Sequence, residues 1–151
     1  MKKIIIGNWK LNLDHLEAIQ LLQKLNYTIE EDKEEKIDIV VSPSHTSLRS
    51  IQTIIDTDKL NIQLSAQDVS QFSGGAYTGE VSSHQLNKLN VNYCIVGHSE
   101  RRIELNESDE VINQKVHNLV SEGITPIVCF GETLEQRNSN KYLEHITNQI
   151  N

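Results

Sequence analysis

The chain has 151 residues, with 14 basic and 21 acidic side chains and a formal net charge of −7. That length fits a single domain, residues 1–151, able to bury a real core. The acidic balance, with no basic stripe or tail, argues against a nucleic-acid or anionic-membrane partner, and no apolar stretch is long enough to span a bilayer.

In chain order, Met1-Lys2-Lys3 leads into Ile4–Ile6. That apolar run is too short for a signal peptide, and Asn8 and Lys10 follow at once, so a cytoplasmic protein is expected. Ile4–Ile6 is the first of five short Ile/Val-rich runs. The others are Ile37–Val41, Leu60–Ala66, Asn92–Val96 and Ile124–Phe130. Such runs predict strands buried on both faces of a parallel sheet. Leu16, Ile19 and Leu22, with Ala18, Leu21 and Leu25 beside them, predict an amphipathic helix after the first. The mixed-charge run Glu30–Lys36 reads as a solvated loop. Leu48, Ile51, Ile54 and Ile55 predict the second helix. Ser82-Ser83-His84-Gln85 fits a capping box that opens the third. Ile112, Val116, Leu119 and Val120 form the face of the fourth, which Gly123 terminates. Thr133-Leu134-Glu135-Gln136 is a second capping box and opens the fifth, and Tyr142–Ile150 still reads as helix.

The result is βα repeated five times, one unit per roughly thirty residues, the length of a crossover unit. A doubly wound open sheet and a (β/α)8 barrel both fit. Cys94 and Cys129 lie in apolar runs beside β-branched residues, so buried free thiols are expected.

The phosphate-binding motifs G-x-G-x-x-G and G-x-x-x-x-G-K-[ST] do not occur, which disfavours dinucleotide enzymes and P-loop NTPases. The histidines and cysteines show no paired metal-ligand spacing, so no metal is expected. His15, His45, His84, His117 and His145 read as ordinary surface or cap residues.

Three segments at the C-terminal ends of predicted strands stand out, where α/β proteins place their chemistry. Gly7-Asn8-Trp9-Lys10-Leu11-Asn12 packs a lysine, two asparagines and a tryptophan into one tight turn. Gly97-His98-Ser99-Glu100-Arg101-Arg102 sets a histidine just before a short helical turn, Ser99 to Glu104. Backbone N–H groups at a helix start disfavour an imidazolium and suit a neutral imidazole that donates a hydrogen bond. Cys129-Phe130-Gly131-Glu132-Thr133, taken alone, is a capped βα turn. In addition, the loop Val69–Glu80 is long for a compact α/β unit and reads either as a flexible surface loop or as an oligomer contact.

These segments, together with Ala76-Tyr77-Thr78-Gly79-Glu80, resemble triosephosphate isomerase in order and spacing along the whole chain. The resemblance implies a (β/α)8 barrel, here truncated to about five βα units and ending inside the fifth helix. It implies interconversion of dihydroxyacetone phosphate and D-glyceraldehyde 3-phosphate in glycolysis and gluconeogenesis, without a cofactor, on a small phosphorylated triose. By the same resemblance Lys10 is the cation facing the enediolate, and His98 the neutral electrophile that shuttles protons between its oxygens. Asn8 and Lys10 bind substrate, while Glu100, Ser99 and Cys129 support the site. Thr78, Glu80 and Arg101 belong to the interface of a homodimer, with Glu80 and Arg101 as an intersubunit ion pair.

The family's glutamate base, lid and glycine-rich phosphate turn have no counterpart among the 151 residues. The isolated chain is therefore expected to be inactive. The alternatives are the N-terminal half of a split enzyme and a non-catalytic partial-barrel binding module.

Overall fold

The computed structural model describes residues 3–29 and 37–150. The charge run Glu30–Lys36, read as a loop, lies outside the described residues. The five apolar runs become β1 (Lys3–Asn8), β2 (Ile37–Ser42), β3 (Gln63–Ala66), β4 (Tyr93–Val96) and β5 (Thr125–Val128). They form one sheet in the order β1-β2-β3-β4-β5, and every neighbouring pair is parallel. An open doubly wound sheet reverses its strand order at a switch point; this sheet runs on in chain order, as barrel winding requires. The strands make a half-barrel.

Two expectations about the strands need correcting. β3 starts at Gln63, not Leu60, because the preceding helix ends at Asp58 and residues 59–62 form its cap and the turn into the strand. Lys59 is left-handed (φ 52°) and the Leu60 N–H bonds to the Ile55 carbonyl, an αL helix stop. Burial on both faces holds for the inner strands but not for the outer two. Ile5 in β1 is 59% exposed, and Val128 in β5 is also exposed. Each outer strand has a neighbour on one side only.

The crossovers contain α1 (His15–Thr28), α2 (Leu48–Asp58) with a 3-10 turn His45–Ser47 before it, α3 (Ser83–Asn87), α4 (Ser99–Glu104), α5 (Asp109–Ser121), α6 (Leu134–Asn138) and α7 (Tyr142–Ile150). Both expected capping boxes form, at Ser82/Gln85 and Thr133/Gln136, and a third joins Asp14 to Glu17. One core cluster joins helix residues Ala18, Leu22, Ile51, Leu86 and Leu119 to strand residues Val41, Leu64, Cys94 and Val96.

Two helix faces are rotated from expectation. In α1, Ala18 and Leu22 are buried whereas Leu16 and Leu21 are exposed. In α5, Ile112 and Leu119 are buried, Val120 is exposed, and Lys115 fills the third inward position. Residues 112, 115 and 119 share a face at i, i+3, i+7 spacing, so α5 carries a charge into the core.

Candidate functional site

The C-terminal ends of β1, β2, β4 and β5 are tied together by side chains. Trp9, just past β1, donates its N–H to the Ser42 carbonyl at 3.1 Å, which extends the β1–β2 ladder. The chain then turns through Lys10, whose φ of 54° is left-handed. The Lys10 N–H donates to Asn8 Oδ1 at 3.0 Å, and Asn12 Nδ2 closes the turn onto the Trp9 carbonyl at 2.8 Å. This turn directs the lysine toward the end of β4, where Nζ meets Glu100 Oε1 at 2.5 Å. That hydrogen bond is the main reason the Glu100 carboxyl is held below its ordinary range.

Past β4, Gly97 is left-handed (φ 68°). A Cβ there would come within 3.0 Å of Arg102 Nη2 and of the Cys129 carbonyl. Only glycine fits this turn. It delivers His98 to the N-cap of α4, where Nδ1 accepts the Glu100 N–H at 3.3 Å. An imidazole that accepts at Nδ1 has its hydrogen on Nε2, which makes Nε2 the donor of the ring. Glu100 Oε2 lies 3.4 Å from the same Nδ1. Glu100 thus meets both side chains, Lys10 through its carboxylate and His98 through its backbone N–H. Ser99 is exposed beside it.

Arg102 connects the end of β5. Its Nε donates to the Gly97 carbonyl (2.8 Å), Nη2 to the Cys129 carbonyl (3.2 Å) and Nη1 to Asp109 (2.5 Å). The Cys129 N–H continues the ladder onto Val96. Cys94 is buried as expected, whereas Cys129 is only half-buried, one residue past the edge strand β5, whose own Val128 is exposed. Burial pushes both thiols up.

The structure therefore brings Asn8, Lys10, His98 and Glu100 to one sheet end, with Ser99 adjacent and Cys129 linked through Arg102. Thr78 and Glu80 lie exposed on the loop 69–80, which is closed at its base by the Ser70 N–H on the Val81 carbonyl. Phe72 and Tyr77 stack within that loop at 3.6 Å between ring centroids. Within the chain, Arg101 bonds to Asp68 (2.8 Å) and Glu107 (2.7 Å) and borders a common cleft with Glu80.

Sequence reasoning missed Gln67, Asp68, Arg102, Glu107 and Lys115. His45, read as a surface or cap residue, instead meets the Asp68 carbonyl through Nε2 at 2.9 Å. Among the described residues no group of three or more His, Cys, Asp or Glu side chains could hold a metal ion.

A model of the family described as triosephosphate isomerase matches residues 3–151. The triosephosphate isomerase of Saccharopolyspora erythraea is 50% identical over 147 residues, covering 97% of this chain and 56% of that protein. The Corynebacterium glutamicum triosephosphate isomerase is 49% identical, covering 98% and 57%. The crystal structure of triosephosphate isomerase from Bartonella henselae superposes with a TM-score of 0.88 at 31% identity, covering 99% of this chain and 60% of that one. The chain thus spans little more than half the length of the curated relatives it matches.

Proposed function

Because the chain belongs to the triosephosphate isomerase family, we propose that it supplies the electrophilic half of an isomerase site for dihydroxyacetone phosphate and D-glyceraldehyde 3-phosphate. Residues 1–151 are read as one partial-barrel domain of about five βα units. The observation that carries the proposal is that Glu100 joins the two candidate electrophiles at one sheet end, its carboxylate bonded to Lys10 Nζ and its backbone N–H donated to His98 Nδ1.

The chemistry follows from charge. Removing a proton next to a carbonyl develops negative charge on the carbonyl oxygen. Preorganised donors aimed at that oxygen stabilise the transition state more than the ground state. Lys10 supplies a fixed ammonium. His98 supplies a neutral Nε2–H, which polarises the carbonyl and moves a proton between the two oxygens of the enediol. Asn8 holds the Lys10 turn and orients substrate, Glu100 sets both electrophiles, and Ser99 and Cys129 support the same strand ends.

Three carboxylates near these strand ends are already committed. Glu100 is bonded to Lys10, Glu132 to Arg137 (2.7 Å) and Glu107 to Arg101 and Lys115. A placed general base contributes about 10²–10⁴-fold. The 151 residues alone are therefore expected to turn over triose phosphate at background rate.

The whole protein acts as a cytoplasmic homodimer in glycolysis and gluconeogenesis. The exposed loop 69–80 with Thr78 reaches toward a second copy, and Glu80 and Arg101 pair across the interface. No helix among the described residues is long and apolar enough to cross a membrane.

The test is an isomerase assay on a chimera in which residues 1–151 are followed by the unmatched remainder of the Saccharopolyspora erythraea relative. Turnover that collapses in Lys10→Ala and in His98→Gln is expected. Turnover indifferent to both would remove these residues from the mechanism.

A further inference from the structure

Lys10 is a non-glycine residue in the left-handed region, with φ 54°. That conformation is costly for an L-residue and persists only where surrounding contacts enforce it. Its N–H is held by Asn8 Oδ1. Its carbonyl is held from a different strand end, because Gln67 Nε2 donates to the Lys10 oxygen at 2.9 Å. The same amide nitrogen donates to the Ser42 carbonyl at 2.8 Å. Both hydrogens of the NH2 group are thus used, one on the turn after β1 and one on the end of β2. Ser42 is also the acceptor of the Trp9 N–H, so Gln67 braces the backbone on both sides of the same turn.

The mount of Gln67 is rigid. It directly follows Ala66, the last residue of β3. The next residue, Asp68, is fixed by Lys115 (2.7 Å) and Arg101 (2.8 Å) through its carboxylate and by His45 through its carbonyl. An amide on so fixed a stem can impose geometry on the turn it bonds. Without it, Lys10 could relax to an ordinary negative φ, and its Cα–Cβ vector would swing away from Glu100.

We infer that Gln67 is a positioning residue that locks Lys10 in its left-handed turn and so sets the direction of the Lys10 ammonium. This rests on the reading of Lys10 as the substrate-facing cation, but its geometric content stands apart from turnover.

The experiment is NMR on the isotopically labelled 151-residue chain. In the unsubstituted chain, scalar couplings across hydrogen bonds from Gln67 Nε2 to the Lys10 and Ser42 carbonyl carbons are expected, and their absence overturns the proposal. In Gln67→Leu and Gln67→Glu, which lack the donor, Lys10 should lose its left-handed Cα and Cβ shifts. Its amide should exchange roughly fivefold to tenfold faster, the loss of about one hydrogen bond. The Glu100 titration should move back toward the ordinary carboxylate range, while the melting temperature stays close to the parent. A folded variant in which Lys10 keeps its left-handed shifts overturns the proposal. If neither variant folds, the couplings in the unsubstituted chain decide. In the chimera, Gln67→Leu should lower kcat with little change in KM. Loss of the Lys10 geometry with kcat unchanged counts against the catalytic reading of Lys10 and leaves the positioning role intact.

Discussion

Glu100 Oε1 lies 2.5 Å from Lys10 Nζ, a contact between residues 90 positions apart in sequence. It joins the turn after the first strand to the helix start after the fourth. Both side chains are about half-exposed, so the pair does little for stability; exposed ion pairs are weakened by solvent and side-chain entropy. Its effect is on direction and on titration.

The titration gives the first prediction. The Lys10 hydrogen bond is the largest influence holding Glu100 below the ordinary glutamate value of 4.5. A depressed carboxylate contributes its stabilisation above the ordinary value and loses it as pH falls through the folded value. Carboxyl-carbon NMR should therefore find a Glu100 midpoint below 4.5 in the chain. Lys10→Ala should return it most of the way, and His98→Gln should move it less. A midpoint unchanged by Lys10→Ala would mean that the pair does not exist in solution.

Two glycines give a paired test of backbone strain. Gly97 and Gly123 are both left-handed, at φ 68° and 74°. A Cβ at Gly123 meets nothing within 4 Å, whereas at Gly97 it presses on Arg102, Cys129 and Ile112. Gly123→Ala should cost only the left-handed penalty, about 1–2 kcal/mol. Gly97→Ala adds overpacking worth about 1–3 kcal/mol and should cost clearly more. Urea denaturation of both variants measures the difference; equal losses would show that the Gly97 turn yields without cost.

How much of this was legible beforehand depends on the kind of signal each residue leaves. Gly97-His98-Ser99 was readable because a tight turn and a helix start each demand particular residue types. The capping boxes at Ser82 and Thr133 were readable for the same reason. Helix faces were less so. Leu16 and Val120 extend apolar stripes that allow more than one rotation, and only packing against the sheet selects one. Lys115 left a weak trace, since it lies at i+3 from Ile112 and i−4 from Leu119, an inward position held by a charge. Gln67 left none. Its role arises from two carbonyls contributed by distant strand ends, and no local pattern encodes such a meeting.

The thiols allow a chemical check. Burial pushes both up, and Cys94 is the more deeply enclosed. A thiol reacts as its thiolate, so neither should behave as an activated nucleophile. Alkylation by iodoacetamide at neutral pH, followed by mass spectrometry, should modify Cys129 slowly and Cys94 only on unfolding. Rapid labelling of Cys94 in the folded chain would contradict its place in the core.

The last prediction concerns the charge buried in α5. Lys115 is 4% exposed and bonds to Asp68 at 2.7 Å and Glu107 at 2.5 Å, while Arg101 bonds to the same two carboxylates. Two cations and two anions close a neutral ring behind the helix start that carries His98. Burial alone would raise Glu107, but the hydrogen bonds and charges of Arg101 and Lys115 more than offset it and hold it low. For Asp68 burial wins and the carboxyl is raised. Lys115→Met keeps the stem's volume but leaves two buried carboxylates sharing one arginine. Removing one member of a buried ionic group costs about 3–5 kcal/mol, so a large drop in denaturation midpoint is expected at neutral pH. The sign of the pH dependence separates charge from packing. Because Glu107 is depressed, its stabilisation is present above the ordinary glutamate value and lost as pH falls through its folded value. Asp68, being raised, costs stability at neutral pH and regains it on protonation, which partly offsets that loss. Without Lys115 both acids shift upward, so acid should stabilise Lys115→Met relative to the parent and narrow the gap between them below pH 4.5. A gap that stays constant from neutral to acid pH would show that Lys115 contributes by packing alone.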